Sequence, residues 1–441
     1  MLPLVNNVLT LNDQTPFQFF GRAFFLLSTP LELTKEILTF GFVMKKIILL
    51  SFCLTLIFGC DTSTSKEETI IKKDTVKIDV KKDTVVEVVS TPTFNTNNQF
   101  NNITSVLSGC KGKANNLNYL FDTVIWDAHS KFIDSSWSRL ERKRLQAMKD
   151  WGREEFKDVS TKTNIIFYPF SGPDYLTANA FFPNADKYIM LGLEPVGKLP
   201  ELDKFKKGEP SEYSNDFKKS LGDIFDKSYF ITRKMQSDFQ AQKVNGLLPI
   251  LAFFIKRTGN EILDVKYLMR YNQDSIVEVA YDFKSDERKP FGVRVDFLQE
   301  GKQKSVYYFK YDVSNKNFND TTVFHKYISD NVDGAITYIK SASYLLHAGF
   351  MSNMRALILK NSSSVVQDDT GIPFKYFEEN NYETKLYGQY TRPVSDFPYL
   401  NLQKPLQEAF HKDSLNVKKL PFHLGYHWGS KKDVIIFAKK K

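Results

Sequence analysis

The chain has 441 residues, 42% of them hydrophobic and 25% charged, and its 38 Phe and 21 Tyr supply ample area for a large core. The net charge of +9 fits a solvated, lysine-rich surface, and no basic arm or stacking-aromatic motif marks a nucleic-acid binder, so no nucleic-acid partner is expected. Three cysteines, Cys53, Cys60 and Cys110, are too few for a disulfide framework or a paired-cysteine zinc site, and no metal site is read from the sequence.

Residues 1–43 carry no clean period and read as an upstream extension, with translation starting at Met44. Residues 44–59 have the layout of a secretory signal: Met44-Lys45-Lys46, the apolar run Ile47–Phe58, then Gly59 before Cys60. The run is shorter than the roughly 20 residues that a bilayer span needs. The stretch Leu56-Ile57-Phe58-Gly59-Cys60 resembles the lipobox of bacterial lipoproteins, with aliphatic Ile57 three before the cysteine and small Gly59 directly before it; Phe58 is bulkier than the common pattern. That resemblance implies lipid on the Cys60 sulfur, cleavage after Gly59 and acylation of the new amino terminus, and several acyl chains together anchor durably. The expected location is the cell envelope, membrane-anchored, at the inner or outer membrane or the cell surface. Cleavage removes four bases and three acids, leaving +8 and Cys110 as the only other cysteine.

Residues 60–114 read as the lipidated cysteine and a flexible tether. They hold the near-repeats Lys72–Val80 and Lys81–Val89, then a Ser/Thr/Pro/Asn-rich stretch, all of low hydrophobicity. Glu67-Glu68 after Lys66 resembles the export signals of surface lipoproteins, whereas Asp61 equally fits retention at the inner membrane.

From 115 to 441 the composition is globular. Periodicity predicts a helix over 130–158, a strand Asn164–Phe170, a turn at Ser171-Gly172, and a helix opened by Pro173 and Asp174 that ends near Pro183. A second buried strand, Asp186–Glu194, completes a β-α-β unit. A loop follows over 198–222, then helices over 223–242 and 246–257. Strands are expected over 276–283, 291–299 and 304–312, the last two joined at Glu300-Gly301. Next come a helix over 321–330, a strand over 334–346, a helix over 351–361 and a strand Ser363–Gln367. The alternating run Phe422–Trp428, a turn at Gly429–Asp433 and strand Val434–Ala438 predict a closing hairpin. The fold class is α/β: a single three-layer domain with a mixed, partly parallel, Rossmann-like sheet and a C-terminal β-hairpin.

Candidate ligand-binding residues lie around the β-α-β unit. Ser171, Gly172 and Asp174 stand at a strand-to-helix turn, where free N–H donors hold a polar group, and Glu194 closes the next strand, where an acid accepts ribose hydroxyls. This layout looks like the first unit of class I methyltransferases, and the late helix, the strand Ser363–Gln367 and the terminal hairpin fit it loosely. The resemblance implies a Rossmann-like core and an S-adenosylmethionine site, although the glycine-rich loop of that family is reduced here to Ser171-Gly172-Pro173. Asp368-Asp369-Thr370-Gly371 ends another strand; its carboxylates suit general acid/base work or a divalent cation, and the same residues suit a plain turn. In a strand, His423 and His427 would stand about 13 Å apart, too far to share one zinc. His129 and His347 read as structural. No nucleophile elbow, phosphate loop, zinc-protease or kinase motif is present. The expected function is that of a ligand-binding or accessory envelope lipoprotein, with a small molecule or glycan as ligand; the alternative is a methyltransferase-like enzyme with its site at the sheet edge, for which Asp368 and Asp369 are the catalytic candidates.

Overall fold

Side chains alternate across the central strands and feed two separate cores. In β1 (Ile165–Tyr168), Ile166 and Tyr168 enter one core and Phe167 the other. In β2 (Lys187–Gly192), Tyr188 and Met190 face the first core and Ile189 and Leu191 the second. Period-two alternation in a strand buried on both faces demands helices on both sides. The computed structural model describes residues 93–441 apart from 114, 122, 206–208, 228–243, 272–274, 284–288, 399 and 428–431. Residues 1–92, with the signal segment, Cys60 and the near-repeats, lie outside the described residues.

The sheet has ten strands in the order β4-β3-β5-β6-β2-β1-β7-β8-β10-β9. The others are β3 (Glu261–Tyr271), β4 (Ser275–Ala280), β5 (Gly292–Gln299), β6 (Lys302–Lys310), β7 (Ile336–Ile339), β8 (Ser364–Gln367), β9 (Tyr382–Gly388) and β10 (Val434–Lys440). The middle strands β6, β2, β1, β7 and β8 are parallel to one another. An antiparallel meander, β3 to β6, extends one edge, and at the other β10 runs antiparallel between β8 and β9.

The first core is covered by α1 (Gln99–Leu107), α2 (Val124–Leu140), α3 (Gln146–Glu155), α4 (Tyr175–Phe181), α5 (Glu209–Lys227) and α6 (Leu248–Arg257), with α2 joined to α3 through a π turn at Glu141–Leu145. The second is covered by α7 (Val323–Asn331), α8 (Ser352–Asn361) and α9 (Lys404–Lys412). The molecule is therefore the three-layer α/β fold expected, with a mixed sheet and a C-terminal hairpin made by β9 and β10.

Particular elements differ from expectation, each for a physical reason. The compact unit begins at Pro92, because α1, read as tether, buries Leu107 in the core and Asn98 caps it while donating to the Ile262 carbonyl of β3 at 2.9 Å. The polar stretch 198–222 is helical from Glu209, its apolar face Phe217 and Leu221 fully buried. The apolar run 334–346 is strand only to Ile339; Ser341, Ser343 and Tyr344 then take positive φ and break the extension. Residues 422–427 alternate without pairing as a strand, since β10 finds its partners in β8 and β9, and Gly425–His427 is a 3-10 turn.

The 45 residues between β9 and β10 are tied to the first layer through Glu155 at the end of α3. Its side chain accepts from Lys385 and Tyr387 of β9 at 2.6 Å each and from Lys418 at 2.5 Å. Burial raises this carboxyl, but the three donors outweigh it and hold the pKa down at about 2, against an ordinary 4.5. A depressed acid stabilises above its unfolded pKa and ceases to do so as pH falls through the folded one. Both lysines are half-exposed, so screening trims the effect. Glu155→Gln is expected to lower unfolding free energy at pH 7 by about 1–2 kcal/mol, with the gap to wild type closing between pH 4.5 and 2, as checked by urea melts across that range.

Candidate functional site

The chain passes from β1 through α4 to β2 on one side and later lays β7 on the other side of β1, so the order of the sheet reverses between β1 and β7. In open parallel sheets this switch point opens a crevice at the carboxyl ends of the strands, where ligands bind. Here the crevice holds charge. Asp174, after β1, caps α4: Thr177 donates to Oδ1 from its N–H at 3.2 Å and to Oδ2 from its hydroxyl at 2.6 Å, and Tyr168 Oη donates to Oδ2 at 3.0 Å. From across the switch point Lys340, directly after β7, places Nζ 2.5 Å from Asp174 Oδ2, and both side chains are 2–3% exposed. Burial lowers the lysine's pKa and the aspartate beside it opposes that fall.

On the β8 side stand the paired acids. Asp368 Oδ2 accepts from the Ser341 N–H at 2.8 Å, and Oδ1 accepts from Thr370 N–H at 3.0 Å and its hydroxyl at 2.5 Å. Asp369 Oδ2 accepts from Tyr344 Oη at 2.6 Å, and His427 Nε2 lies 3.1 Å from Oδ1. Burial and then the adjacent Asp369 push Asp368 up to about 6, within reach of neutral pH. His427 is lowered by burial but raised more by the Asp369 contact, and its net shift is upward. Asp368 thus both turns the chain, through Thr370, and binds the β7 loop, through Ser341.

On the β2 side Ser171 ties its loop to β2, donating from its N–H to the Leu191 carbonyl at 2.8 Å. Glu194 is buried at 2% exposure; its Oε2 accepts from Leu193 N–H at 3.1 Å and from Tyr308 Oη of β6 at 3.3 Å. Gly172 sits at φ +52°, and a Cβ there would lie 3.7 Å from the Glu194 carboxylate. The Ser171–Asp174 turn therefore meets Glu194 on one flank and, through Lys340 and Ser341, the Asp368 loop on the other. Glu194 itself faces Tyr308.

Backbone strain concentrates at the same edge. Of six described non-glycine residues with positive φ, four follow β1 or β7: Phe170 at 61°, Ser341 at 54°, Ser343 at 52° and Tyr344 at 56°. Such conformations cost about 1–3 kcal/mol each and gather at functional sites. The crevice is covered by the turn Gly425–His427. A Cβ on Gly425 would stand 2.8 Å from both Asp368 Oδ2 and Ser341 Oγ, and Tyr426 Oη donates to the Ser341 carbonyl at 3.1 Å.

The residues missing from the sequence reading are Lys340, Ser341, Tyr344, Tyr308 and His427. Lys340 had one signal, a lone charge inside an apolar run, since lysine is almost never fully buried unless paired. His423 and His427 do not share a strand; His423 Nδ1 lies 2.7 Å from Asp433 Oδ2, so the two serve different acids. His347 lies in a 3-10 turn, not a strand, and burial lowers its pKa to about 4. His129 is satisfied by Ser214 and the Leu107 carbonyl, both at 2.9 Å. Among the described residues no group of three or more His, Cys, Asp and Glu is placed to hold a metal ion, and no helix is long and apolar enough to cross a membrane.

Comparison with protein-family models, with curated proteins and with solved structures finds no match to this chain.

A buried ion pair broken on one side leaves an uncompensated charge, whereas apolar replacement of both partners is nearly neutral. Lys340→Met is expected to cost about 3–5 kcal/mol in chemical denaturation, and Lys340→Met with Asp174→Leu to recover most of it.

Proposed function

We propose that the chain is a lipid-anchored protein of the bacterial envelope whose α/β domain binds a small molecule or glycan at the carboxyl edge of β2, β1, β7 and β8. The observation that carries the binding part is the coincidence, at the switch point, of buried charges and four strained non-glycine residues. A core kept only for shape gains nothing from burying Lys340, Asp174, Asp368 and Asp369 together, because desolvation of each must be offset by a partner. The anchor part rests on the Leu56–Cys60 resemblance and on the tether that follows it.

A second reading, a methyltransferase-like enzyme, is favoured by one observation: β6-β2-β1-β7-β8 has the 3-2-1-4-5 order of doubly wound nucleotide-binding sheets, with Glu194 at the β2 end. Against it, the turn after β1 has a single glycine, and the space beside Asp174 is taken by Lys340.

The mature chain should be screened by thermal shift against nucleosides, S-adenosylmethionine, sugars and divalent ions. One class is expected to raise Tm by several degrees at about a hundredfold excess over Kd, and Glu194→Gln or Asp368→Asn to diminish the shift. A shift with S-adenosylmethionine or nucleosides alone selects the second reading, and no shift with any class overturns the binding assignment. Full release of Cys60→Ala from the membrane fraction is the matching result for the anchor; a Cys60→Ala protein still membrane-bound and acylated contradicts it.

A further inference from the structure

Every charged group of the proposed site is buried, so the reading above requires part of the protein to move before a ligand can enter. The segment over the site divides at one residue. Upstream, Phe422 and Leu424 are 4% and 1% exposed and belong to the first core, Phe422 packing edge-on against Trp151 with ring centroids 5.5 Å apart. Leu424 is further fixed by its N–H to Asp433 Oδ1 at 2.7 Å. That stem is held by apolar burial, which is slow to give up. Gly425 follows at φ +58°, a conformation glycine adopts without penalty.

Beyond it the character of the contacts changes. Tyr426 is half-buried, with its hydroxyl 2.7 Å from Ser343 Oγ and 3.1 Å from the Ser341 carbonyl, while His427 reaches Asp369. Tyr426 adds one ring contact, to Phe397 at 5.5 Å between centroids. The tip is latched mainly by polar contacts to the strained loop after β7, and each such bond contributes little net because water can replace it.

We infer that the turn Gly425–His427 is a gate over the switch-point crevice, hinged at Gly425 and latched by Tyr426 on Ser341 and Ser343, with Phe422 and Leu424 as its fixed stem. This rests on the ligand-binding reading of the edge. Opening the turn uncovers Lys340, Ser341 and Asp368 together, since a Cβ on Gly425 would stand 3.3 Å from Lys340 Cγ and closer still to the other two. Both polar partners of Tyr426 belong to left-handed residues or their neighbours, so unlatching frees the loop that carries Lys340.

Hydrogen exchange read by mass spectrometry on the full mature chain tests the gate without any ligand. Amides of 425–427 are expected to exchange at least tenfold faster than those of β8 and β10, and faster than Leu424. Tyr426→Phe, which removes only the hydroxyl, is expected to speed the tip a further roughly fivefold to tenfold while leaving β8, β10 and Tm nearly unchanged. Exchange of 425–427 at the rate of the flanking strands, or a Tyr426→Phe effect that is absent or spread equally over the domain, overturns the gate. The binding assignment fails separately, by a blank thermal-shift screen on a protein whose tip does open.

Discussion

A lysine ammonium and an aspartate carboxylate, each almost wholly removed from water, meet at the one place in the sheet where neighbouring strands lead away in opposite directions. Desolvating two such charges costs several kcal/mol apiece, so the pair persists only if its geometry and its further hydrogen bonds are good. Asp174 meets that condition with Tyr168 and both donors of Thr177, which also fixes the start of α4. Lys340 is held where β7 ends, and the chain can turn away from it only through left-handed residues. The β1 turn, the helix cap, the end of β7 and the Asp368 loop are thus coupled through one interaction.

From that pair the rest of the edge follows. Ser341, forced out of line beside Lys340, aims its N–H at Asp368. Asp369 takes Tyr344 on one oxygen and His427 on the other, which draws the long connection between β9 and β10 over the strand ends. Glu155 fixes the far side of that connection to α3. The two cores below are well filled and mostly apolar, so the polar edge lies on a rigid base, the arrangement in which a strained loop can be maintained.

Much of the architecture was legible because it depends on local periodicity and caps. The β1-α4-β2 unit could be read from alternating apolar residues and from Asp174 at a helix start, and the Glu300-Gly301 turn from its residue types. What was illegible depended on partners distant in sequence. Residues 340–346 look like a strand continuing β7, and nothing in Lys-Ser-Ala-Ser-Tyr announces left-handed backbone without a glycine. Phe422–His427 alternates like a strand but finds no partner, because β9, which carries Lys and Glu at its exposed positions, takes the place beside β10. The acids of the edge were identifiable as strand-end carboxylates; Lys340 and His427, which hold them, were not, because burial and pairing are properties of the fold.

The central claim is that Lys340 is sealed at the switch point by Asp174. Native-state reductive methylation with site-resolved mass spectrometry measures this directly. The account predicts that Lys340 stays unmodified while exposed lysines such as Lys131 react to completion, and that it becomes reactive in Asp174→Asn. Modification of Lys340 in the wild-type protein at the rate of Lys131 would contradict it.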